Sequence, residues 1–150
     1  MIGDAAARIV DAGEPLPALS GDADALTLAW ALKDHGYAAW SRDPGAAVRA
    51  SAALDSLVDT MQGRASTSTA RQVHAIATWM EGIAGLTRGR MTEAVLAFDR
   101  AAQAFRDVDL PMQAARTQVP KIMALSVLGL HDRAAGSLVI LRPGTRSRSS

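Results

Sequence analysis

Alanine fills 31 of the 150 positions, and no other feature restricts so strongly what this chain folds into. Alanine is the best helix former and a poor strand former. Its single methyl group also lets paired helices approach closely, but it adds little bulk to a core. Trp30, Tyr37, Trp40, Trp79, Phe98 and Phe105 are the only aromatic residues, and isoleucine occurs six times. No segment alternates between apolar and polar with a strand's period of two. The composition predicts an all-α fold. A chain of 150 residues accommodates one domain or a short repeat array.

The absent residue types narrow the chemistry. Without cysteine there is no disulfide framework, no thiolate metal site and no cysteine nucleophile in this chain. No apolar run reaches the roughly 18 residues of a membrane span. The start, MIGDAAARIVDAGE, is acidic and interrupted, unlike a secretory signal. The expectation is a soluble, cytoplasmic protein that does not engage a membrane. The net charge of +1 is unevenly spread: residues 1–132 hold 12 basic and 15 acidic side chains, whereas 133–150 hold four arginines and no acid. A mildly acidic body lacks the basic face that nucleic acid requires, so no nucleic-acid partner is expected. The end, LRPGTRSRSS, reads as a disordered basic tail over 142–150, after a helical domain over 1–141.

Punctuation by Pro, Gly and Asp divides the chain into helices. Pro15, Pro17 and Ser20-Gly21-Asp22 close an apolar N-terminal stretch and offer caps for a helix from Ala23 to Trp40. In that helix Leu26, Trp30, Lys33, Tyr37 and Trp40 form one stripe. Asp43-Pro44 starts the next, with Val48, Leu54, Leu57, Val58 and Met61 as its apolar positions. After the loop at Gly63–Thr69, a helix over 70–88 carries Val73, Ile76, Ala77, Met80, Ile83, Ala84 and Leu86 inward. One over 92–106 does the same with Ala94, Val95, Phe98, Ala101, Ala102 and Phe105. The turn at Asp107–Pro111 leads to a fifth helix, which Pro120 should kink or split and Gly129 should end at Leu128. A sixth is expected over His131–Leu141, where the run Leu138–Leu141 also fits an extended segment. Short turns between such helices predict antiparallel hairpins.

The hairpins carry signs of repetition. Gly89 is followed by Glu93-Ala94, and Gly129, forty residues on, by Arg133-Ala134. In the central unit, Gly82, Gly89, Glu93-Ala94, Phe98 and Ala101 follow the order small, turn glycine, acid–alanine, aromatic, alanine. This pattern resembles the tetratricopeptide repeat family over about 30 residues. The first unit has Ala52 near the place of the aromatic, Gly85 replaces a bulky residue, and the spacing exceeds the family's typical ~34. The resemblance implies a short solenoid of about three hairpins. AWALKDHGYAAWSRDP and LGLHDRA also resemble the Ala/Arg-rich arrays that precede bacterial caspase-like CHAT peptidases. That peptidase uses a His–Cys pair, so its chemistry is not in this chain.

The remaining residues give little support to catalysis. His35, His74 and His131 lack metal-ligand spacing, no Gly-x-Ser-x-Gly elbow occurs, and no glycine-rich loop precedes Lys-Ser/Thr. Asp55 and Asp59 share a helical face that reads as solvated. The expectation is a non-enzymatic interaction module with no cofactor and no metal. The repeat resemblance implies that first helices line a concave surface. It places Lys33, Tyr37 and Trp40 there from the first hairpin, Ile76, Trp79 and Ile83 from the second, and Arg116 and Met123 from the third. Large aromatics at helical spacing also commonly bury themselves, so a core role competes for Trp30, Trp40 and Trp79. The expected partner is a protein or peptide segment. Alternatives are a regulatory or sensor segment of a larger bacterial enzyme system, and a self-associating bundle.

Overall fold

The computed structural model describes residues 2–140. Among these residues there are six α-helices and no strand: α1 (Ala5–Ala12), α2 (Asp22–Ala39), α3 (Pro44–Met61), α4 (Thr67–Thr87), α5 (Met91–Asp107) and α6 (Pro111–Ile140). A 3-10 turn over Ile2–Asp4 precedes α1. The fold is all-α, as the alanine content requires.

Local chemistry sets most of the boundaries. Ser66 caps α4, its hydroxyl accepting from the Thr69 N–H at 3.2 Å. The Ser66 N–H in turn donates to the Asp22 carboxylate at 3.2 Å, tying the starts of α2 and α4 together. Hydrogen bonding from the Ser66 side chain and then its backbone holds the Asp22 carboxyl below its ordinary pKa. Pro44 opens α3, while the Asp43 carboxylate turns to Arg49 Nη2 at 2.8 Å instead of capping. Gly89, at φ 75°, lets the chain leave α4 with the Arg90 N–H donating to the Gly85 carbonyl at 2.9 Å. Asp109 adopts φ 60° in the turn before Pro111, a conformation that Asp tolerates better than most residues.

The helices stack in chain order. From α2 to α6 each lies against the next, α2 also touches α4, and α1 covers α2 and α3. Leu28, Leu32, Leu54, Leu57, Val73, Ile76, Met80, Ile83, Phe98 and Phe105 are fully buried in one core. Two glycines permit the closest approaches. A Cβ on Gly82 would stand 2.5 Å from the Phe98 ring, and one on Gly36 would stand 2.7 Å from the Ala50 Cβ. Arg49 Nε donates to the Val10 carbonyl, fastening α1 to α3.

The apolar N-terminal stretch forms α1. The structure corrects the sequence reading at the other end. Pro120 does not divide its helix and Gly129 does not terminate one: α6 runs unbroken from Pro111 to Ile140. Gly129 also lacks the positive φ of Gly89, so the two glycines are not equivalent turns. Pro120 removes one backbone bond, but α6 is held by packing on α5, with Ala114, Thr117, Pro120 and Ala124 all buried. His131 therefore lies within α6 and does not open a separate helix. The tail over 142–150 falls outside the described residues.

Candidate functional site

Three features carry unusual chemistry. The first joins α2, α4 and α5. The α2 stripe does not face straight inward: Ala25, Leu28, Ala29, Leu32, Gly36 and Ala39 are buried, whereas Trp30, Lys33, Tyr37 and Trp40 flank them and stay half-covered. Trp79 of α4 is 3 % exposed and sits among their rings. Its centroid lies 6.4 Å from both Trp30 and Tyr37 and 5.9 Å from Phe105, each edge-on. Trp30 and Phe105 stack at 5.9 Å. Lys33 extends over this group, its ammonium 4.2 Å from the Trp79 centroid, 5.4 Å from Tyr37 and 5.8 Å from Trp30. With its side chain only 11 % exposed and paired with Asp34 at 2.9 Å, the ammonium is partly desolvated, a setting where such contacts are worth about 1–2 kcal/mol. The Trp79 indole N–H is buried and meets no acceptor among the described residues. This is an aromatic junction whose cation is supplied by the chain itself.

The second feature is a polar cleft of about 510 Å³ where α3, α4 and α5 meet, lined by Asp55, Glu81, Glu93, Arg88, Arg90 and Arg100 among others. Burial pushes the Asp55 carboxyl up, the nearby Glu81 and Asp59 charges add to that, and His74 opposes it. Arg100 Nη2 lies 3.4 Å from Glu81 Oε2. The cleft has mixed charge, and no group of three potential metal-ligating side chains occurs among the described residues.

The third feature is the outer side of α6. Six large apolar side chains are conspicuously exposed among the described residues, and five belong to this helix: Met112, Val119, Ile122, Met123 and Leu125, at 46–69 % exposure. The opposite side, with Ala114, Thr117 and Ala124, is buried against α5. Helix α6 is thus apolar on both sides, and no described helix covers the outer one. No helix of the described residues is long and apolar enough to cross a membrane.

The eight residues expected on a shared partner surface are separated. Ile76, Trp79 and Ile83 lie in the core at 0, 3 and 1 % exposure, so they serve packing and offer a partner nothing to touch. The reason is that α2 packs on α4 and closes over that face. Lys33, Tyr37 and Trp40 stay half-covered on α2, while Arg116 and Met123 are exposed on α6. Sequence reasoning missed Met112, Val119, Ile122 and Leu125. Their signal was present: large apolar residues occur all around 111–129, where a one-sided helix would alternate them with charge. It also missed the contact of His35 Nε2 with Asp11 Oδ2 at 3.0 Å, which links α1 to α2. Set against protein-family models, curated proteins and solved structures, the chain matches none of them.

Proposed function

We infer that this chain is a protein-interaction scaffold, a short tetratricopeptide-like stack of helices that binds a partner segment and performs no catalysis of its own. The observation that carries the reading is the outer face of α6. Five large apolar side chains stand in water on one helix. Contiguous exposed apolar surface of this kind marks interaction sites, because leaving it hydrated costs free energy that a partner recovers. Arg116 and Met123, two of the residues expected at a partner surface, lie on this helix. The stacking of each helix on the next and the fit of Phe98 against Gly82 support the repeat-like reading.

The test is affinity capture with the intact chain, comparing wild type with Ile122→Glu and Tyr37→Ala, with retained proteins quantified by mass spectrometry. Loss of specific proteins with Ile122→Glu, at unchanged helical content, is the expected result. If both folded variants retain the same proteins as wild type, neither α6 nor the α2 surface is the binding face and the reading fails.

A further inference from the structure

The outer face of α6 has a periodicity of its own. Met112, Ala115, Val119, Ile122, Ser126 and Gly129 follow one another at intervals of three, four, three, four and three residues. Alternating threes and fours are the seam of a supercoiled helix pair. The first five are exposed and Gly129 is half-exposed. The other two exposed apolar residues, Met123 and Leu125, flank the seam on either side, while Ala114, Thr117, Pro120 and Ala124 point away from it into the α5 contact. All five large exposed side chains of α6 therefore border a single line.

That line is complementary to itself when reversed. Laid antiparallel about a point between Pro120 and Lys121, Met112 meets the partner's Gly129, Ala115 meets the partner's Ser126, and Val119 meets the partner's Ile122. The largest unbranched residue falls opposite the position with no side chain, and the small pair falls opposite itself. The charges are compatible with such a pairing. Residues 111–129 contain no acid, and of the two bases Lys121 is already paired with Asp99 at 2.7 Å. The two copies of Arg116 would lie about 13 Å apart along the axis, given a rise of about 1.5 Å per residue, which is beyond the screening length at ordinary salt. The N-terminal side of the stack is covered by α1, so the uncovered face at the other end favours a closed two-fold pair over an open chain of subunits.

Resting on the interaction reading above, we propose that the occupant of this face is a second copy of the chain, paired antiparallel through α6 along the line from Met112 to Gly129. The contact is a short strip, about 26 Å long on each copy, so the pairing is expected to be reversible and concentration-dependent.

Light scattering of the eluting full-length chain between about 5 and 200 µM tests this. A concentration-dependent dimer that Ile122→Glu abolishes at unchanged helical content is the expected result. A second measurement tests direction, using the absence of native cysteine. Ala115→Cys and Ser126→Cys proteins, distinguishable by mass, are treated with a short bismaleimide. The mixture should cross-link to a heterodimer several-fold more than either protein cross-links to itself, since like positions lie about 16 Å apart in the antiparallel pair. A chain that stays monomeric at 200 µM, a dimer indifferent to Ile122→Glu, or preferential cross-linking of like positions each overturns the proposal. A monomer that still captures other proteins through Ile122 overturns only this pairing. A wild-type chain that neither dimerises nor captures any protein also removes the interaction reading.

Discussion

Phe98 fits against α4 because position 82 has no side chain. A methyl group there would stand 2.5 Å from the nearest ring atom, and Phe98 is fully buried. Gly82→Ala should therefore destabilise the fold by about 1–3 kcal/mol despite improving helix propensity, read as a lower urea midpoint. Asp55 presents an electrostatic case. Its carboxyl is pushed up by burial and by Glu81 and Asp59, so the folded state disfavours the ionised form. An acid whose folded pKa is raised contributes stability that is present below its unfolded pKa and lost as pH rises through the folded one. Because Asp55 is solvent-exposed, screening keeps the effect small: Asp55→Asn should raise Tm slightly at pH 7, with the gain fading as pH falls towards the ordinary carboxylate pKa of ~4. Asp22 behaves oppositely: lowered by its bonds from Ser66, it supports the fold above its unfolded pKa and loses that support as pH falls through the folded one. The contact of Gly82 with Phe98 was legible as a small residue and an aromatic at repeat spacing. The elevated Asp55 was not, because Glu81 comes from a neighbouring helix.

At the scale of elements, caps and breakers placed α2 through α5 within a few residues of their observed limits. Asp43-Pro44 and Gly89 act on their own backbone within one turn, so their effect can be read locally. The same reasoning failed for α6, where packing on α5 keeps the helix continuous across Pro120. Pro120→Ala restores a backbone N–H that can donate to the Arg116 carbonyl and removes the ring. It should stabilise the protein by about 1–3 kcal/mol and leave the helical signal at 222 nm unchanged or slightly larger. A net loss of stability in urea would show that α6 is built around a proline bend.

For the whole molecule, the aromatic junction matters most. Trp30, Trp79 and Phe105 bring α2, α4 and α5 into mutual contact across 75 residues of sequence, inside the same core that holds α3. Unfolding in urea should therefore give coincident transitions by tryptophan fluorescence and by far-ultraviolet circular dichroism. An earlier fluorescence transition would show that α2 separates from the stack on its own. Helical class, most helix starts and the inward residues of α4 followed from the sequence itself, since alanine content, caps and a 3.6-residue period act over a single turn or helix. Only the tertiary structure decided which stripe becomes surface. It buried Trp79 among Trp30, Tyr37 and Phe105, placed Lys33 over the aromatic group, and left the outer side of α6 uncovered. Burial depends on which helix packs against which, and apolar residues intended for a core and for a partner are the same residue types.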